Sequence, residues 1–261
     1  MQQDDKLRIT LVQFDIAWED KQKNLNRIET IVSGLSGQTD VIVLPEMFST
    51  GFTMDSHNLA EPVDGETIGQ IKEWAVKSDV AICGSYIAVD EGNYYNRGFF
   101  ITPDKEYYYD KRHLFRMGNE SEAFSAGKNR LIFEHKGFNI CLLICYDLRF
   151  PVWARNVDNE YDLLIYTANW PASRIKVWET LLAARAIENM SYVCGVNRVG
   201  TDGNGLAHNG CSKLINARGE EISNIGINQE QAETIEISKT ELETFRAKFP
   251  VWRDADNFKI C

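Results

Sequence analysis

Short apolar runs alternate along this chain with longer stretches in which apolar residues recur every three or four positions. Residues 7–14, 40–44, 79–88 and 162–167 have strand length and are rich in β-branched and aliphatic residues. Residues 21–35 carry Leu25, Ile28, Ile31, Val32 and Leu35 at helical spacing, and 67–77, 151–158 and 174–189 also read as helices. The runs 97–102 and 106–110 predict a hairpin around Thr102-Pro-Asp-Lys. The runs 131–135 and 138–144 predict another, turning at Lys136-Gly137. Further strands are expected at 191–199, 211–216 and 232–237. Strand–helix alternation with inserted hairpins predicts an α/β fold. With no internal repeat and no linker composition, the 261 residues read as one domain, 1–261.

Three of the predicted strands run directly into a reactive residue. Asp40-Val-Ile-Val-Leu-Pro leads to Glu46, Glu106-Tyr-Tyr-Tyr-Asp to Lys111, and Phe138-Asn-Ile-Cys-Leu-Leu-Ile to Cys145. In open α/β sheets ligands sit at the carboxyl ends of strands, so these residues are expected along one sheet edge. A thiol, a carboxylate and an ammonium supply a nucleophile, its base and a fixed charge for an oxyanion. Taken singly, each has a plain alternative: Cys145 a small buried hydrophobe, Glu46 a loop acid, Lys111 part of a solvated Lys-Arg-His patch. Burial behind Pro45 is expected to raise the pKa of Glu46. The strand-to-helix turn at Tyr146–Pro151 is expected to favour a Cys145 thiolate. Cys141, four residues earlier on the same strand, reads as core.

Composition narrows the setting. A net charge of -10 argues against nucleic acid or an anionic membrane as a partner. The polar start, Met1 to Lys6, has no apolar segment of secretory type, and no run approaches the roughly 20 apolar residues of a membrane span. The six cysteines (83, 141, 145, 194, 211 and 261) show no disulfide framework. A soluble, reduced, cytoplasmic protein is the simplest expectation.

The segments Leu-Pro-Glu46-Met, Asp-Lys111-Arg-His-Leu-Phe and Ile-Cys145-Tyr-Asp-Leu-Arg-Phe-Pro, in this order, resemble the three signatures of the nitrilase superfamily of carbon–nitrogen hydrolases. The resemblance covers nearly the whole chain. It implies a four-layer αββα sandwich and a homodimer, which can pair into a dimer of dimers. It also implies a Glu46–Lys111–Cys145 hydrolase of non-peptide C–N bonds that uses no metal or cofactor. A second glutamate after the lysine belongs to the same pattern. Spacing to Gly127 favours Glu120, with Glu122 as the alternative. The stretches Ala168–Arg174, Trp178–Asn189, Val196–Gly205 and Phe249–Asp256 are similar to bacterial ω-amidases. That similarity implies a small-molecule amide substrate, 2-oxoglutaramate or 2-oxosuccinamate.

Such a substrate needs donors for its far carboxylate and keto oxygen. Arg174, Arg116 and Arg149 are the candidates, in that order, because Arg149 could instead tie loops together through Asp147 or Glu188. Tyr146, Trp170, Phe48 and Met47 are candidates for an apolar wall, although Phe48 and Met47 fit a core role equally well. Three other readings compete. A Cys–His hydrolase would rely on His113, the one histidine near the proposed site. A metal-dependent phosphoesterase would gather Glu46, Asn169 and His208 but leave the thiol and lysine without a role. A non-enzymatic subunit of the same fold would be expected to have lost one of the three reactive residues. Phe249 and Trp252, beyond the last helical pattern, suit either docking on a partner subunit or capping of the chain's own core.

Overall fold

The structure, a computed structural model, describes residues 5–256 and 258. Residues 1–4 and Cys261, which entered the reading of the chain start and of the cysteines, lie outside the described residues.

The chain opens with β1 (Lys6–Gln13), α1 (Lys21–Gly34), β2 (Val41–Val43), α2 (Ser56–Leu59) and α3 (Glu66–Ser78). Strands β3 (Ala81–Asp90), β4 (Asn93–Ile101) and β5 (Glu106–Asp110) follow as a meander. After α4 (Glu120–Ala123) come β6 (Ile132–His135), β7 (Phe138–Ile144), α5 (Pro151–Ala154), β8 (Leu163–Ala168), α6 (Ile175–Asn189) and β9 (Tyr192–Asn197). A ribbon of β10 (Val199–Thr201) and β11 (Ala207–Asn209) precedes β12 (Lys213–Ile215), β13 (Gln231–Ser238) and α7 (Lys239–Lys248). One sheet has six strands in the order β13-β1-β2-β3-β4-β5, and the other five in the order β12-β9-β8-β7-β6.

Side-chain alternation separates the layers. On β1 to β3, Leu7, Ile9, Leu11, Val41, Val43, Ala81 and Cys83 point into a core shared with the second sheet. Their neighbours Val12, Ile42, Leu44 and Ile82 point the other way, onto Leu25, Ile28, Val32, Ile68, Ile71 and Trp74 of α1 and α3. From the far side α6 adds Trp178, Leu182 and Ala186 to the shared core. Because the six-stranded sheet is covered on both faces, its central strands are apolar at consecutive positions, and the pattern is four layers, α, β, β, α, as expected.

Most elements fall where the periodicity puts them, with two corrections. The helix expected over 151–158 stops at Ala154. Asn156 ends it by donating to the carbonyls of Tyr161 and Asn189 and accepting from Tyr161 N–H, while Asp158 and Asn159 adopt positive φ. The strand expected over 191–199 breaks at the fully buried Arg198, whose guanidinium turns to Asp15, and β10 leaves the sheet for the small ribbon.

Candidate active site

Glu46, Lys111 and Cys145 do meet, but not along one sheet edge. Glu46 follows β2 and Lys111 follows β5, both in the six-stranded sheet, whereas Cys145 follows β7 in the other. β5 is antiparallel to β4, which is antiparallel to β3, so β5 ends on the same side as β2. Face-to-face packing then brings the end of β7 to that side.

Each residue is held by local structure. Cys145 adopts φ 44° where β7 passes into a short 3-10 turn, Cys145–Arg149. That left-handed conformation is rare for a non-glycine residue and is sustained by its surroundings. Asp147 supplies part of them, accepting from Ile144 N–H (3.0 Å), Tyr109 Oη (2.8 Å) and His113 N–H (3.0 Å). Gly127 lets the chain after α4 return close to Lys111, for a Cβ there would lie 1.9 Å from the Asp110 carbonyl oxygen. Gly127 N–H donates to Lys111 O at 2.9 Å.

The charged groups form one sealed cluster. Glu46, Lys111 and Glu120 are almost wholly buried. Lys111 Nζ donates to Glu46 Oε1 at 2.8 Å and to both carboxylate oxygens of Glu120 at 2.9 Å. Asn96 Nδ2 bridges the same acids, 2.8 Å from Glu46 Oε1 and 3.0 Å from Glu120 Oε1. Ser85 Oγ in turn holds Asn96 Oδ1 at 3.0 Å. Asn169 N–H donates to Glu46 Oε2 at 2.9 Å, and Phe115 N–H to Glu120 Oε2 at 2.6 Å. Cys145 Sγ lies 4.0 Å from Asn169 O and beside Glu46. Of the two glutamates the spacing offered, Glu120 therefore joins the cluster, while Glu122 is exposed.

Electrostatics follow from this packing. Burial alone would lower the Lys111 pKa, but Glu120 and then Glu46 more than offset it, and the ammonium is held well above its ordinary value. Burial and the Glu46 charge raise the Glu120 pKa against the opposing pull of Lys111. Burial, followed by Glu46, pushes the Cys145 thiol well up. This corrects the expectation of a preformed thiolate. The turn after Cys145 is too short and too dry to offset desolvation beside a carboxylate, so the resting group is the neutral thiol.

A cavity of about 450 Å³ opens over this floor, lined among others by Glu46, Lys111, Cys145, Tyr146, Trp170, Arg149 and Arg174. Arg149 lies over the rings of Trp170 (5.2 Å) and Tyr146 (6.0 Å), and Arg174 over Phe115 (5.3 Å). Neither guanidinium has a carboxylate partner among the described residues. The loop tie considered for Arg149 is absent, because Asp147 is taken by Tyr109 and His113, and Glu188 Oε1 by Arg185. Arg116 is exposed and does not line the cavity. Phe48 is wholly buried, edge-on to Phe99 at 5.9 Å in the helix-side core, and Met47 is buried too. Phe52 and Met54 take the apolar-wall position instead. His113 stacks on Phe150 at 3.8 Å, bonds Asp147 through Nδ1 and stays out of the cavity lining, so the Cys–His arrangement does not form. Among the described residues no group of three or more His, Cys, Asp or Glu has the arrangement to hold a metal ion, and no helix is long and apolar enough to cross a membrane.

Sequence reasoning missed Asn96 and Ser85, polar positions inside strands with no motif around them. It also missed Asp202, Asn204 and Leu206 as cavity lining, and set His208 beside Glu46 only under the metal-dependent reading.

Comparison with known proteins bears on the same arrangement. Residues 8–247 match the family described as Carbon-nitrogen hydrolase. The chain is 44% identical to the Omega-amidase YafV of Escherichia coli over 255 residues, 97% of this chain and 98% of the relative. It is 33% identical to the 2-oxoglutaramate amidase of Bacillus subtilis, over 95% of this chain and 97% of that one. Its fold superposes with a TM-score of 0.96 on XC1258 of Xanthomonas campestris, described as a CN-hydrolase superfamily protein. That pair is 42% identical, covering 98% of this chain and 99% of the other. The chain thus belongs to the carbon–nitrogen hydrolase family, within the nitrilase superfamily, whose fold its two sheets and flanking helices reproduce.

Proposed function

We propose that this protein is an ω-amidase. It would hydrolyse the side-chain amide of small ω-amido 2-oxo acids, 2-oxoglutaramate and 2-oxosuccinamate, to the dicarboxylic acid and ammonia. The observation that carries this reading is a single thiol beside a buried Glu–Lys–Glu cluster, at the floor of a cavity bearing two guanidiniums without carboxylate partners. The relatives described as Omega-amidase and 2-oxoglutaramate amidase support the same substrate class.

The steps follow from the residues. The resting thiol is neutral, so the first step is proton transfer from Cys145 to Glu46 as the sulfur attacks the amide carbon. The oxyanion is met by the Lys111 ammonium and the Tyr146 backbone N–H. Glu46 passes its proton to the departing ammonia, leaving a thioester on Cys145. Glu46 then deprotonates a water, which cleaves the thioester to the acid, and Glu46 returns that proton to the departing Cys145 sulfur, restoring the neutral thiol. Glu120, bonded to Lys111 through both oxygens, fixes the direction of the ammonium. Arg174 and Arg149 hold the 2-oxo acid end, and Tyr146, Trp170 and Phe115 give the short carbon chain an apolar wall. The chain acts as one catalytic domain in a reducing cytoplasm, where its five described cysteines, all buried, stay free. It works as a homodimer, and the exposed Phe249 with the partly exposed Trp252 are the docking candidates, checked by molar mass in solution.

The test is ammonia release by wild type and Cys145→Ala on 2-oxoglutaramate, a neutral aliphatic amide and an N-carbamoyl amino acid. Rapid release from 2-oxoglutaramate alone, lost in the variant, is the expected result. Release mainly from another amide, still lost in the variant, keeps the nucleophile and replaces the substrate with that of another amidase branch.

A further inference from the structure

The β10–β11 hairpin gives the cavity a wall that the steps above do not use. It is firmly seated: a Cβ at Gly203 would lie 2.3 Å from the Trp18 indole, and Arg198 Nη2 donates to Asp15 Oδ1 at 2.6 Å. His208, 4% exposed, stands on this wall. Its Nδ1 is 3.0 Å from the Leu206 carbonyl oxygen. A carbonyl can only accept, so Nδ1 carries the proton. Burial and then the Arg198 charge bring the His208 pKa down to about 4, so the ring is neutral near pH 7. Nε2 is therefore a bare acceptor, with no hydrogen-bond partner among the described residues. His208 lines the same cavity as Glu46, Lys111 and Cys145.

Several other polar groups of the lining cannot accept or are already engaged, and the side chains of Tyr146, Asn119 and Asn204 line the cavity without a hydrogen bond to another described residue. Lys111, Arg149 and Arg174 only donate. Asp202 Oδ1 accepts from Asn204 N–H and Leu206 N–H at 2.9 Å each, within the hairpin. Asn169 Oδ1 lacks a partner but is sealed from solvent. An ionised ω-amido 2-oxo acid has a carboxylate and a ketone that only accept. Its one kind of donor is the carboxamide N–H. We infer that His208 is a specificity-determining residue, whose Nε2 accepts a hydrogen bond from the substrate carboxamide and so favours a primary amide over the ester of the same acid. The inference rests on the amidase reading above but not on which ω-amide is the natural substrate.

The experiment compares kcat/KM for the best amide and for the methyl ester of the same acid, in wild type, His208→Phe and His208→Gln. Loss of one hydrogen bond between neutral groups predicts about a tenfold lower amide rate in His208→Phe. Ester turnover should stay within about twofold, since an ester has no N–H to lose. His208→Gln, whose side-chain carbonyl accepts, should recover most of the amide rate. Equal losses on amide and ester, or no loss on either, overturn the inference. Should His208→Phe fail to fold by thermal melting, His208→Leu reads the same ratio. A wild type inactive on every amide would sink the amidase reading itself, and this inference with it. A wild type active on a different amide would sink only the substrate assignment, and the ratio is then measured on that amide.

Discussion

Two buried charge clusters in this molecule look alike on paper and differ in what they are built for. In one, Asp162 accepts from Asn139 N–H (2.9 Å), Arg246 Nη1 (2.7 Å) and Lys239 Nζ. Arg246 also donates to Tyr161 O and Met190 O, at 2.7 and 2.9 Å. Its excess positive charge sits on Lys239, whose side chain is 23% exposed and reaches water. The result is a clamp fastening α7 to the second sheet. In the other, two carboxylates face one ammonium with no exposed atom among their side chains, and the excess charge is negative, beside a thiol. An unbalanced charge sealed from water costs stability, and its raised Glu120 pKa is the sign of that cost. The comparison teaches that burial of charge is not the mark of a reactive site. Imbalance without solvent, next to a nucleophile, is.

Substitutions can break this contrast. The largest effect is expected from Lys111→Met, which should lower kcat/KM about 100- to 1,000-fold by removing the oxyanion charge. Steady-state rates on any good amide substrate check it, and a near-normal rate would remove Lys111 from the mechanism. Arg246→Met should do the reverse, lowering unfolding free energy by about 3 kcal/mol while leaving kcat/KM of the folded enzyme within about twofold. Urea unfolding beside kinetics at low temperature would show it, and an equal kinetic loss would erase the distinction between the clusters.

Acid titration sharpens the contrast from outside both clusters. Burial, then the Lys136 charge, brings the His135 pKa down to about 4 from an unfolded value of about 6.5. The folded state prefers this ring neutral, so its contribution is intact above about pH 6.5 and is lost as pH falls toward 4, by about 2 kcal/mol. His135→Leu should flatten that part of the stability profile without changing the amide rate at pH 7. The smallest change is expected from Asn96→Leu, which removes the donor shared by Glu46 and Glu120 but leaves Lys111 in place. A loss of about tenfold in kcat with little change in KM would mark Asn96 as a positioning residue. A change in KM alone would place it with substrate binding.

The chain sequence by itself determined the α/β class, because strand-length apolar runs alternate with helical periodicity, while the four-layer sandwich followed only from the resemblance of its three motif segments to the nitrilase superfamily. It also determined the three reactive residues, since a buried apolar run ending in Glu46, Lys111 or Cys145 delivers a functional group wherever that strand ends. Which sheet each strand joins was not legible, for pairing partners are set by packing across distant segments. Only the tertiary structure decided that Glu120 enters the cluster and Glu122 does not, because a four-residue helix turns one inward and the other out. It alone put Phe52 rather than Phe48 at the cavity, freed Arg149 from its nearby acids and excluded Arg116. It also gathered Asn96 and Ser85 around the site from strands whose polar residues carry no pattern of their own. Strand direction and burial are written in local periodicity. The direction a loop side chain takes depends on which neighbours desolvate it and which charges meet it there, and those come together only when the two sheets close.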